Sequence, residues 1–174
     1  MDGLSRLNDL SAERARAELA RCCGASRWVE AMNARRPFRD RAALLSASDE
    51  VWWALGEADW REAFAHHPKI GDKPARSLAS TRRWAAGEQS GVEGASGEEV
   101  EALAEGNRAY EARFGYIFIV CATGKTAGEM LALLRARLPN DPAQEIRVAA
   151  GEQARITRIR LGKLLDEAGS GARP

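Results

Sequence analysis

The sequence predicts an all-α fold, and three observations carry that reading. Capping and stop signals recur along the chain, clearest where Thr126-Ala127-Gly128-Glu129 opens and Pro139 closes one short stretch. Apolar residues in the longer segments recur at three- and four-residue spacing, the period of a helix with one buried face. Only one run, Tyr116-Ile117-Phe118-Ile119-Val120-Cys121, has strand composition, and a lone strand has no partner. The expectation is a single compact domain of about seven to nine helices, with one extended or irregular segment near 116–124.

The elements follow in order. Ser11 can cap a helix through Ala15, Leu19 and Cys22, which Gly24 stops. A second helix carries Trp28, Val29 and Met32 and ends before Pro37. Asp49 and Asp59 can each cap a further short helix, one bearing Trp52, Trp53 and Leu55, the other Phe64 and Ala65. Pro68 ends the latter just after His66 and His67. Gly87, Gly91, Gly94 and Gly97 then interrupt regular structure. Glu98 to Arg113 reads as a charged, alanine-rich helix with Val100, Leu103, Ala104 and Tyr110 near one face. The capping box opens Met130 to Leu138. Asn140-Asp141-Pro142 supplies a cap with proline at the first helical position. The helix after it runs to about Glu167, with Ile146, Ala149, Ile156, Ile159 and Leu164 as its stripe.

Bulk properties narrow the function classes. The 174 residues suit one domain, and 45% hydrophobic with 29% charged residues is ordinary globular composition. A net charge of +1 gives no global reason to expect nucleic acid or an anionic membrane as partner. The longest apolar run, Ile117 to Ala122, is far below the roughly 20 residues of a membrane span. Met1-Asp2-Gly3-Leu4 is not a basic-then-apolar leader, so a cytoplasmic location is expected. Cys22, Cys23 and Cys121 form no Cys-x-x-Cys pair and read as reduced thiols packed as small hydrophobes. Burial of Cys121 in its apolar run would raise its pKa and weaken it as a nucleophile.

His66 and His67 are the only histidines. Adjacent helical residues point about 100° apart, so the pair does not face one site, and no metal is expected. One imidazole can serve as an acid–base catalyst, since it titrates near ~6.5. A histidine at a helix C-terminus also interacts favourably with the dipole and needs no further role. Pro68 ends the helix, Gly71 permits a tight turn, and Asp72 can hold that turn or orient an imidazole. Physics alone leaves both readings open.

His66-His67-Pro68-Lys69-Ile70-Gly71-Asp72 resembles the H-P-x-I-G-D signature of the 2-oxo-4-hydroxy-4-carboxy-5-ureidoimidazoline (OHCU) decarboxylases. The resemblance extends upstream to Cys22-Cys23-Gly24, Ser26-Arg27-Trp28, Arg36-Pro37-Phe38 and Asp59-Trp60 before Ala63-Phe64. Downstream it takes in Glu88-Gln89-Ser90-Gly91, Asn107 with Tyr110, Phe114-Gly115, Phe118-Ile119-Val120-Cys121 and the helix through Arg155-Ile156 to Arg160-Leu161. It spans roughly Leu4 to Leu165. It implies one domain over residues 1–174, with a core of about 4–167.

The resemblance also implies roles. His67, directly before Pro68, is the catalytic imidazole, and His66 lies outside the motif. Glu88 is the catalytic carboxylate. Pro68, Gln89, Ile119, Cys121 and Arg160 contact substrate, with backbone groups near Ile119 to Cys121 lining the pocket. Arg158 and Arg155 are alternatives to Arg160. The implied reaction is decarboxylation of OHCU to (S)-allantoin in urate degradation. It uses a small-molecule substrate, no cofactor, no nucleic acid and no membrane, in a protein that forms a homodimer. Two positions depart from the pattern: Ile117 stands where the family often has proline, and Ala122-Thr123-Gly124 where it often has Ala-Arg-Gly. Lys125 can replace the missing charge.

Two other readings compete. A non-catalytic helical interaction module would use the basic face of the last helix, where Arg155, Arg158, Arg160 and Lys163 cluster, although Glu152, Asp166 and Glu167 dilute it. A metal-assisted hydrolase would use His66, His67 and Asp72.

Overall fold

Capping side chains start most of the helices, and the apolar stripes behind them set which faces are buried. In a computed structural model of the chain, residues 2–70, 84 and 87–170 are described. They form α1 (Gly3–Asp9), α2 (Ala12–Cys22), α3 (Ser26–Ala34), α4 (Arg41–Ala54), α5 (Glu57–Ala65), a 3-10 turn at Ser90–Val92, α6 (Gly97–Phe114), α7 (Ala127–Arg137) and α8 (Pro142–Ser170). Among the described residues there is no strand, and the fold is all-α. The chain gathers into two compact units, one within Met1–Ala63 and Ala154–Pro174, the other within Phe64–Gln153.

The first unit holds α1 to α4. Asp2, Ser11 and Asp40 cap α1, α2 and α4, each accepting a backbone N–H of the first turn. Ala15, Leu19 and Cys22 of α2, Trp28 and Met32 of α3, and Leu44 and Trp52 of α4 are buried. Two indoles satisfy their polar edges inside this core: Trp28 donates to the Ser48 carbonyl at 3.3 Å and Trp60 to the Trp52 carbonyl at 3.2 Å. Arg36 closes α1 by donating through Nη1 to the carbonyls of Leu7, Asn8 and Leu10, groups that a helix end leaves without intrahelical partners. This gives a physical reason for Arg36 beside Pro37-Phe38. Asn8 in turn accepts the Phe38 N–H and donates to the Phe38 carbonyl.

Two expected caps are corrected. Asp49 lies inside α4, which starts at Arg41 behind Asp40, and its carboxylate pairs with Arg158. The Ala- and Leu-rich stretch behind Asp40 has strong helix propensity and buries Leu44, so the helix begins well before Asp49. Asp59 sits in the first turn of α5, where it accepts the Gly56 N–H at 3.2 Å and pairs with Arg27. It completes the start of the helix from inside.

In the second unit α6 buries Leu103, Asn107, Tyr110 and Phe114. Val100 and Ala104, expected on that face, are exposed. Small apolar residues obscured the 103/107/110/114 register that the large side chains define. Gly115 ends α6 in the left-handed region at φ 76°, where glycine carries no Cβ penalty. Residues 116–122 then run outside helix and strand, and all but Ile117 are buried.

An ion cluster takes the place of a neighbouring strand. Arg137 donates through Nε to Glu145 at 2.7 Å and through Nη1 to the Ile119 carbonyl at 2.7 Å, and its guanidinium lies 4.6 Å from the Phe118 ring centroid. Glu145, wholly buried, also accepts from the Tyr110 hydroxyl at 2.5 Å and from the Asn140 amide at 2.8 Å. Removing one member of such a pair leaves an uncompensated buried charge, which costs about 3–5 kcal/mol. Arg137→Met and Glu145→Gln are therefore each expected to lower unfolding free energy by that order in urea titration. The double variant Arg137→Met/Glu145→Gln is expected to lose less than the sum of the single losses.

Candidate active site

Helix α5 ends at Ala65, so the two histidines follow it in a turn, not on its last helical residues as expected. The His67 N–H donates to the Phe64 carbonyl at 3.1 Å, and Pro68 next in line has no N–H with which to continue a helix. The turn separates the imidazoles: His66 is exposed and His67 is half-buried. His67 Nε2 lies 2.6 Å from Oε1 of Gln153, a side chain with 0% exposure on α8. Pro68 is half-buried beside it, and exposed Lys69 pairs with Glu111 at 2.7 Å. Gly71 and Asp72 lie outside the described residues.

Glu88 has helical backbone and is 8% exposed, and half-buried Gln89 follows in the turn before Ser90–Val92. Gly91 explains why this segment stays where it is. A Cβ there would come within 1.9 Å of the Lys125 carbonyl oxygen, so only glycine permits the approach of the two backbones. The facing loop is tied down from both ends of one residue. The Cys121 N–H donates to Glu152 Oε2 at 2.8 Å, and Lys125 Nζ donates to the Cys121 carbonyl at 2.7 Å. Burial pushes the Cys121 thiol up, the Glu152 and Glu88 carboxylates add to that, and Lys125 opposes it. The Ile119 carbonyl accepts from Arg137 Nη1.

The second unit thus links His67 to Gln153, Cys121 to the adjacent Glu152, and Cys121 electrostatically to Glu88. Lys125 supplies the positive charge near the Ala122-Thr123-Gly124 departure. Within the first unit Arg160 is 5% exposed and donates through Nη1 to the Arg21 carbonyl at 3.4 Å. Of its two alternatives, Arg158 is exposed and paired with Asp49, and Arg155 is exposed. Of the three arginines, only Arg160 is buried.

Glu152, Gln153, Arg137 and Gly91 carry structural weight that sequence reasoning did not assign. A signal for Gln153 was present. The buried stripe of α8 runs through Ile146, Ala149, Ala150, Gln153, Ile156, Thr157, Arg160, Leu161 and Leu164, so Gln153 occupies a core position of an otherwise largely apolar face. Ile159, expected on the stripe, is half-buried. A polar side chain at a core position of a helix needs a dedicated partner.

Helix ends and one irregular segment therefore present an imidazole and a buried carboxylate within one compact unit, which defines an all-α protein with a candidate acid–base site. A family model described as OHCU decarboxylase matches residues 8–162. The chain belongs to the OHCU decarboxylase family. It is 38% identical over 149 residues to the uric acid degradation bifunctional protein TTL of Arabidopsis thaliana, covering 84% of this chain and 46% of that protein. It is 29% identical over 132 residues to the 2-oxo-4-hydroxy-4-carboxy-5-ureidoimidazoline decarboxylase of Amia calva, covering 75% of each. A crystal structure of an OHCU decarboxylase in the presence of (S)-allantoin superposes with TM-score 0.75 at 35% identity, over 86% of this chain and 97% of that one. The chain spans about half the length of the Arabidopsis relative, and 29% of the bifunctional protein PucL of Bacillus subtilis.

The thiols give a pH prediction. Burial raises Cys22 above the usual thiol range and Cys23 to about 12, with Arg160 pulling both the other way. The folded state therefore holds these protons when the unfolded chain, with thiols near 9.0, has lost them. Their stabilisation is complete below about pH 9 and falls as pH rises from there toward 12. Urea midpoints should decline across that window more steeply for wild type than for Cys22→Ala/Cys23→Ala. Native protein at pH 8 should react slowly with a thiol reagent at both positions and rapidly once unfolded.

Proposed function

We propose that this chain catalyses decarboxylation of OHCU to (S)-allantoin without a cofactor, as a step of urate degradation. The observation that carries the reading is the pairing of family membership over residues 8–162 with His67 and buried Glu88 in one compact unit. The substrate is a small imidazoline bearing a carboxylate, a hydroxyl and a ureido group. When carbon dioxide leaves, the electron pair of the broken bond passes to the adjacent unsaturated ring system, so the substrate supplies its own electron sink.

What remains for the protein is positioning, charge control and proton transfer. His67 handles the proton that accompanies bond cleavage and directs protonation to one face of the resulting carbanion or enolate, which sets the S configuration. Glu88 accepts a hydrogen bond from the substrate hydroxyl or ureido group, and its charge disfavours the substrate carboxylate, a repulsion relieved as carbon dioxide departs. Gln89, Pro68 and the backbone around Ile119 and Cys121 complete the substrate wall. Arg160 is proposed as the forked donor for an anionic or carbonyl oxygen of the substrate. The burial of Arg160 supports its choice over Arg155 and Arg158.

The pairing of Arg158 with Asp49 weakens the interaction-module reading, because it neutralises part of the basic face. Among the described residues, no helix is long and apolar enough to cross a membrane. A cytoplasmic homodimer completes the proposal.

Turnover of freshly generated OHCU, followed by the circular dichroism of the allantoin formed, tests this reading. His67→Ala and Glu88→Ala should each lose at least ~10²-fold in kcat, the low end for removing a general acid or base. Arg160→Lys should raise KM more than it lowers kcat. Wild-type rates and stereochemistry in both the His67 and Glu88 variants would overturn the assignment.

A further inference from the structure

Proton transfer by His67 depends on which ring nitrogen carries its hydrogen. A neutral imidazole has one N–H and one bare nitrogen, and the partner of one nitrogen fixes the role of the other. Here Nε2 lies 2.6 Å from the Gln153 amide oxygen. An amide oxygen only accepts, so the nitrogen facing it must donate. Gln153 is held for this contact: its side chain has 0% exposure and stands on the buried stripe of α8, between Ala149 and Thr157. Its neighbour Glu152 is engaged by the Cys121 N–H, so two adjacent residues of one helix anchor two separate parts of the site.

We propose that Gln153 is a positioning residue that fixes His67 as its Nε2–H tautomer and holds the ring for the proton transfer proposed above. The proton-transfer role rests on the function proposed above, whereas the tautomer does not. The chemistry of glutamine suits the task. Its carbonyl accepts from Nε2–H in both the neutral and the protonated imidazole, so His67 is oriented in either state. A carboxylate at the same place would favour the charged imidazole and raise its pKa by about 1–3 units. A general acid–base works best with a pKa near working pH, and a neutral acceptor avoids that displacement.

The test uses the full-length chain labelled with nitrogen-15. Long-range proton–nitrogen correlation spectra distinguish the two neutral tautomers, and with only two histidines in the sequence His66→Ala completes the assignment. At a pH above the imidazole titration, wild type should show His67 with its hydrogen on Nε2. Gln153→Met, similar in size but without an acceptor, should lose that preference while the amide spectrum stays dispersed. Gln153→Glu should raise the His67 titration midpoint by about one unit or more. It should also move the acidic limb of the kcat/KM profile in the same direction, which a packing role alone would not do.

An Nδ1–H tautomer in wild type would overturn the proposal. So would a folded Gln153→Met variant that keeps the wild-type tautomer, or a Gln153→Glu variant with an unmoved midpoint. If Gln153→Met fails to fold, the wild-type spectrum and the Gln153→Glu midpoint decide the matter. An Nε2–H wild type that does not turn over OHCU would sink the proposed function and leave the positioning by Gln153 standing.

Discussion

The Arg137–Glu145 pair is the constraint on which the second unit depends. A buried segment outside helix and strand has no regular ladder to pair its peptide groups, and each one left unpaired costs roughly a lost hydrogen bond. Arg137 answers this at Ile119, while Glu145 gathers the guanidinium, the Tyr110 hydroxyl and the Asn140 amide onto one carboxylate. A charged pair this deep is tolerated because its geometry is nearly saturated with partners. The aromatic rings of Tyr110 and Phe118, 5.2 Å apart, exclude water around it and add a face for the guanidinium. With Ile119 held in this way, the chain is carried on to Cys121, proposed as part of the substrate wall.

Much of the fold was legible because local signals and burial agree. The capping boxes at Ser96–Glu99 and Thr126–Glu129, the cap-and-proline start of α8 and the apolar stripe of α2 all act through neighbours in sequence. Thr126 with Glu129 and the Pro142 start were read directly. The misreadings share a cause. Asp49 looked like a cap because Asp often is one, but the Ala/Leu stretch behind Asp40 and an arginine far along the chain decided its place. Val100 and Ala104 looked buried because they are apolar, while the large side chains of α6 set a register that excludes them.

The site was legible in its parts and less so in its joins. His67 and Glu88 stood out through the resemblance, and the structure leaves His67 half-buried and Glu88 buried. Gln153 and Glu152 did not stand out, since their partners lie 86 and 31 residues away in sequence. Their only trace was a polar residue at a core position of α8. Thr157 and Arg160 leave the same trace further along the helix. Such local violations of pattern tend to mark function, because evolution otherwise replaces costly buried polar groups with apolar ones.

At Cys121 burial acts differently on backbone and side chain. Burial pushes its thiol up against the pull of Lys125, and the charges of Glu152 and Glu88 add to the rise, so it is a poor nucleophile at neutral pH. Its peptide groups, by contrast, are held on both sides, by Glu152 at the N–H and by Lys125 at the carbonyl. Lys125 is itself placed by the close approach of Gly91, and Gly91 lies three residues beyond Glu88. The carboxylate proposed for catalysis and the wall proposed for substrate are therefore coupled through one glycine contact and one lysine. A substitution at Gly91 would disturb both at once without touching either.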